Sequence, residues 1–172
     1  LVAVEGDGQL GRPSLLELRT RLETWRSRAR PWNAKQRRQD FETHPRRVEF
    51  ERLQAQQERL RAMVALWRAH GWSSLADRTL LEVGCGSGGN LLDLIRLGAQ
   101  PQRLSGIELL PDRVALARQR VPVALRVIEG DAAKIDLPRR SQDVVLAFTL
   151  FSSVLDDAQQ VALAQAMWSW VR

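Results

Sequence analysis

From Thr79 to the end of the chain, apolar residues gather in short solid runs, and amphipathic stretches fill the gaps between them. The runs lie near Thr79 to Val83, Arg103 to Ile107, Ala124 to Ile128 and Asp143 to Phe148 (DVVLAF). They are too short for helices and too continuous for half-exposed strands, which predicts strands buried on both faces. The stretches between them predict helices near Asn90 to Leu97, Pro111 to Arg120 and Asp157 to Val171, with Pro111 suited to a first helical turn. Regular alternation of strand and helix implies an α/β fold, a doubly wound parallel sheet covered on both sides. Right-handed crossovers then give the strand order 3-2-1-4, with the turn after the first strand at the switch point where open sheets bind ligands.

Upstream the pattern changes to a helical period. Ser14 and Glu17 form a capping box, and Leu15, Leu18, Leu22 and Trp25 share one face until Arg30-Pro31 ends the helix. A second helix is predicted from about Val48 to His70. Its stripe is Leu53, Leu60, Val64 and Trp67 with Met63 beside it, and Gly71 is its stop. Residues 1–12, glycine-containing and without an initiating methionine, read as a mobile tail or the edge of a longer product. The expected organisation is a tail (1–12), an N-terminal helical region (13–78) and a sheet-bearing core (79–172).

The chemistry concentrates in LLEVGCGSGGN, Leu80 to Asn90, where a buried strand enters a glycine-rich turn that opens a helix. Gly84, Gly86, Gly88 and Gly89 let the backbone approach a ligand closely, and free N–H groups at the helix start face it. Gly84, Gly86 and Gly89 also satisfy the dinucleotide pattern G-x-G-x-x-G, so spacing alone leaves an NAD-type ligand open. Glu82, two residues before the first glycine, completes Glu82-x-Gly84-x-Gly86-x-Gly88, which resembles motif I of the class I S-adenosyl-L-methionine (SAM)-dependent methyltransferases.

That resemblance implies a Rossmann-like fold, SAM as cofactor and a methyl-transfer activity. It implies that the loop with Cys85 as a small spacer wraps the methionine half, with Glu82 near the amino group. Glu108, about twenty residues beyond the last loop glycine, would accept from the ribose hydroxyls, and Leu109 would pack on the adenine ring. Asp131 and Ala132, after the third strand, would meet the adenine amino group and a ring nitrogen. Phe148 and Thr149, at the end of the fourth strand, would face the methyl group with Phe151 beside them.

Other residues read more plainly. Cys85 is the only cysteine, which excludes an internal disulfide and a cysteine-rich metal site. His44 and His70 are too few and too far apart for a metal centre, and Asp156 and Asp157 read as helix caps and not as bases. No catalytic base is assigned. The chain has neither the Asn-Pro-Pro-Tyr motif of amino-group DNA methyltransferases nor the Pro-Cys nucleophile of cytosine-C5 enzymes. Small-molecule, lipid or glycan acceptors therefore lead.

The formal charge of +6 belongs wholly to the first part. Residues 1–78 carry sixteen Lys/Arg against ten Asp/Glu, while residues 79–172 carry ten of each. Lys35, Arg37, Arg38, Arg46 and Arg47 make a basic segment, broken by Asp40 and Glu42, that reads as a mobile lid or solvated face beside the pocket and not as a nucleic-acid surface. No run is long enough to span a bilayer and no signal-peptide pattern is present, so a cytoplasmic location is expected.

One expectation concerns completeness. In the family a further strand and a final hairpin follow the last helix here, and their absence would leave the DVVLAF strand as an unprotected edge. Trp168 and Trp170 would then lack cover. This motivates a C-terminally incomplete core, a homodimer or strand-adding partner at the open edge, and, as an alternative to the enzyme, a non-catalytic SAM-binding module.

Overall fold

The computed structural model describes residues 2–5 and 45–172, with side chains from residue 49 onward. The chain divides into two units, Leu1–Thr24 joined with Ser74–Arg172, and Trp25–Ser73. The capping-box helix and Lys35, Arg37 and Arg38 lie outside the described residues, and Arg46 and Arg47 fall in a first helical turn. In the second unit, helix α1 (Pro45–Ala69) buries Met63 and Trp67, whereas Leu53 at its N-terminal half is 50% exposed. The helix ends as its sequence dictates. Gly71 takes φ +73°, and the Trp72 N–H reaches back to the Trp67 carbonyl at 2.9 Å.

The first unit is a five-stranded sheet of β1 (Val2–Glu5), β2 (Leu80–Val83), β3 (Leu104–Glu108), β4 (Arg126–Glu129) and β5 (Val144–Ala147), in the order β1-β5-β2-β3-β4. The last four are parallel, and their order is the 3-2-1-4 read from the sequence. Helices α2 (Gly89–Arg96), α3 (Pro111–Arg120), α4 (Leu150–Ser153) and α5 (Asp157–Trp170) connect and cover them. Every residue of β2 and of β5 is buried, which is why both read as solid apolar runs. Each fully buried Leu or Val there contributes about 1.5–3 kcal/mol of transfer free energy. Leu91 and Leu94 from α2, Val114 and Ala117 from α3, and Leu163, Met167 and Trp170 from α5 complete the core.

Strand β1 corrects the expectation of an open edge at β5. Val2–Glu5 pairs antiparallel with β5, Val2 opposite Ala147 and Glu5 opposite Val144. The outer row of β5 amides and carbonyls therefore meets partners from the same chain, the need that an edge strand creates. Four residues, VAVE, are too few to announce themselves by periodicity. Trp170 is also covered, at 2% exposure, and the end of α5 is tied to the approach to β5 by the Gln142 N–H donating to the Trp170 carbonyl at 2.9 Å. No helix among the described residues is long and apolar enough to cross a membrane.

The start of β5 is fastened through Asp143. Its carboxylate accepts from the Thr79 N–H at 2.7 Å and the Thr79 hydroxyl at 2.9 Å, and Arg172 pairs with it at 3.0 Å. Burial by itself pushes this carboxyl up, but the Thr79 hydrogen bonds and the charges of Arg172 and Arg78 outweigh it and hold it below its usual range. A depressed carboxyl contributes stability that is present above the ordinary Asp range and is lost as pH falls through the lowered folded value. Asp143→Asn should therefore cost about 1–3 kcal/mol at neutral pH. Urea unfolding of both proteins at pH 7 and near pH 3 checks this, and the gap between them should shrink in acid.

Candidate functional site

The C-terminal ends of β2, β3, β4 and β5 open onto one cleft of about 390 Å³, within the size range of small-molecule sites. It lies where the sheet order reverses, at the switch point expected from topology. On the β3 and β4 side its wall includes Glu108, Leu109, Asp131 and Ala132, and on the β5 side Phe148, Thr149, Leu150 and Ser153. Val83, Gly84 and Ile107 lie between.

The glycine turn is bound to β3 by a ladder of its own amides. The Gly84 and Cys85 N–H groups donate to the Ile107 carbonyl at 2.8 and 3.0 Å, and the Gly86 N–H donates to Glu108 Oε2 at 2.8 Å. Glu108 is only 5% exposed, and its Oε1 accepts from the Leu110 N–H at 3.1 Å. The turn sits this close because Gly106, below it on β3, has no side chain. A Cβ there would lie 2.7 Å from Cys85 Sγ. Gly88 caps α2 in the left-handed region at φ +82°.

Cys85 is buried, and its thiol is pushed up to about 12 by that burial and by the neighbouring carboxylates of Glu82 and Glu108. It stays a thiol at neutral pH, so it fills space and is no nucleophile. No cluster of His, Cys, Asp or Glu suited to a metal ion occurs among the described residues.

Several residues singled out from the sequence stand elsewhere than on the cleft wall. Cys85, Gly86 and Gly88 belong to the turn behind it, and Gly84 reaches the surface of the cleft. Glu82 is wholly buried, with Oε1 accepting from the Asn90 side-chain amide at 2.6 Å. Position 82 lies on a strand covered on both faces, and its carboxylate is held against the start of α2. Asp131 lines the cleft but also caps its own turn, accepting the Ala133 N–H at 3.0 Å on Oδ1 and pairing with Lys134 at 3.4 Å on Oδ2. Ala132 is 6% exposed beside it.

Leu150 and Ser153 of α4 and the start of α5 were not legible in the sequence as wall elements, whereas Phe151, expected beside the methyl group, is buried and is not among the residues that line the cleft. Thr149 takes φ +58°, a costly conformation for a β-branched residue, and its carbonyl accepts from the Ser152 and Ser153 hydroxyls at 2.6 and 3.2 Å. Gln160, buried in α5, donates its side-chain amide to the Phe151 and Val154 carbonyls. These bonds hold the 149–154 turn against the cleft, and Gln159 and Leu163, one helical turn apart, extend the wall. That i, i+4 spacing was the available signal. Asp156 caps α5 by accepting the Gln159 N–H at 2.7 Å, as expected from the sequence. Arg113, in the first turn of α3, also lines the cleft and was not foreseen.

Residues 80–172 match a family model described as a methyltransferase domain. No curated protein shows a significant match to the chain. Among solved structures, a SAM-bound amino pentose methyltransferase from Micromonospora echinaspora involved in calicheamicin biosynthesis is 29% identical, with a TM-score of 0.55 over 67% of this chain and 46% of that one. A sugar N-methyltransferase from a Streptoalloteichus species is 29% identical, with a TM-score of 0.48 over 55% of this chain and 37% of that one. A TehB-like SAM-dependent methyltransferase from Corynebacterium glutamicum is 18% identical, with a TM-score of 0.50 over 72% of this chain and 67% of that one. The chain thus spans less than half the length of the first two.

Proposed function

The chain belongs to the class I SAM-dependent methyltransferase family, and on that premise we propose that its cleft binds SAM and directs methyl transfer to a small polar acceptor. The observation that carries this reading is the Glu108 carboxylate on the cleft wall, one hydrogen bond from the glycine turn and facing the same space as Asp131 and Ala132. A buried carboxylate at this place suits a ribose diol. Asp131 and the Ala132 N–H are suited to the edge of an adenine, with Leu109 against its face. The apolar surface of Phe148 and Leu150 excludes water where the methyl group would lie. Bound SAM supplies the electrophilic methyl, and the residues of this chain orient the two reactants in line. The similarity to the amino pentose methyltransferase favours an amino-sugar acceptor over a lipid.

Calorimetric titration with SAM, and with NAD as the competing ligand class, tests the proposal. Saturable SAM binding without NAD binding is expected, and the reverse would replace the methyltransferase reading with a dinucleotide one. Within that assay Glu108→Ala should weaken SAM binding by about tenfold to a hundredfold, because a hydrogen bond to a charged group is worth about 1.5–3 kcal/mol. Unchanged affinity in a folded variant would remove Glu108 from the ribose.

A further inference from the structure

We propose that Glu108 is a positioning residue for the glycine turn as well as a contact for the ligand, so that one carboxylate sets the turn and the ribose site relative to each other. The second half of this inference rests on the SAM reading, and the first half does not. An ionised carboxylate offers about four lone-pair sites on its two oxygens. In this structure the Gly86 N–H occupies one on Oε2 and the Leu110 N–H one on Oε1. About one site then remains on each oxygen. Two remaining acceptors match the two hydroxyls of a ribose diol, so neither amide has to be released when a ribose arrives.

The two held amides lie on opposite sides of Glu108 in the sequence. Gly86 belongs to the turn after β2, and Leu110 immediately precedes α3. Gly86 takes φ +56°, and apart from its chain neighbours no atom lies within 4 Å of where its Cβ would be, so no packed side chain occupies that direction. Its N–H bond to Glu108 is what ties it to β3, whereas Gly84 and Cys85 are tied through the Ile107 carbonyl. The carboxylate is buried to 5% exposure, where a donor that loses its partner is not readily compensated by water.

The chemistry predicts effects of substitution that a simple ribose contact does not. Glu108→Gln keeps the shape, but its amide nitrogen is a donor and would face one of the two backbone N–H groups. Glu108→Asp keeps the charge and loses the reach. Asp should release the Gly86 amide in the ligand-free protein and Gln should release or weaken it, because a neutral amide oxygen accepts less strongly than a carboxylate even where it stays on Gly86, and both should weaken ligands that have no ribose.

Amide hydrogen exchange followed by NMR on the ligand-free protein provides the first readout, with circular dichroism confirming that each variant folds. Exchange at Gly86 should accelerate by about tenfold or more in Glu108→Gln and in Glu108→Asp, with the Gly84 and Cys85 amides much less affected. The second readout is titration with free methionine, which lacks the ribose. Its affinity should fall by about threefold to tenfold in the same variants. Unchanged Gly86 exchange in both variants overturns the positioning role, and so does faster exchange with unchanged methionine affinity. If the parent protein bound neither SAM nor methionine, the cofactor reading would fall, and the exchange data alone would still decide whether Glu108 holds the turn.

Discussion

Replacing Gly86 with valine should abolish SAM binding while the rest of the sheet remains folded. Gly86 sits at φ +56°, a region that costs an L-residue roughly 1–2 kcal/mol and a β-branched one more. Space is not the obstacle, since nothing lies within 4 Å of the added Cβ. The backbone would leave the left-handed region, and the Gly86 N–H would lose Glu108 Oε2. The strain of about 1–2 kcal/mol and the lost charge-assisted hydrogen bond of about 1.5–3 kcal/mol together come to about 2.5–5 kcal/mol, so SAM affinity should fall by about a hundredfold or more. Circular dichroism with a SAM titration checks the result, and normal binding by the variant would show that this turn is not the cofactor cradle.

Gly106→Val should instead damage the fold itself. Gly106 has ordinary backbone angles, but its Cβ would meet Cys85 Sγ at 2.7 Å, Cys85 Cβ at 2.9 Å and Leu91 Cδ1 at 2.9 Å. Those atoms belong to the glycine turn and to buried α2, neither of which can retreat without giving up core contacts. Overpacking a filled core costs about 1–3 kcal/mol and occasionally more, and valine adds three carbons here, so a loss near the upper end, about 3 kcal/mol, is expected. Urea unfolding measures it. Combining the change with Cys85→Ala should recover part of the loss, because the two side chains compete for one volume. Strict additivity in that double-mutant cycle would contradict the close approach of turn and strand.

The two glycines show why a motif is easier to read than its mechanics. Both stand within strand-and-turn segments that the sequence marks clearly, yet one is required by a backbone angle and the other by the nearness of a sulfur atom 21 positions earlier in the chain. Spacing reports neither. The same limit applies to Glu82, whose hydrogen bond with Asn90 the motif does not announce. Burial of β2 on both faces sets its carboxylate beside the first turn of α2.

What the sequence by itself determined is the part governed by local periodicity. The solid apolar runs, the amphipathic stretches between them, Pro111 at a helix start and Gly71 at a helix end placed the parallel strands and most helices within a few residues. The order of Gly84, Glu108, Asp131 and Phe148 along those elements then brought the cleft to the switch point, because each lies at or just beyond the C-terminal end of a strand. The tertiary structure alone decided what depends on partners distant in sequence. Val2–Glu5 became a strand because β5 offered it an unpaired edge. The 149–154 turn became a wall because Gln160 and two serines hold its carbonyls. Glu108 became the anchor of the glycine turn because parallel pairing of β2 with β3 sets Val83 beside Ile107, which brings the Gly86 amide within 2.8 Å of a carboxylate 22 residues away. A hydrogen bond of that kind is specified by the register of two strands, and register exists only once the sheet has formed.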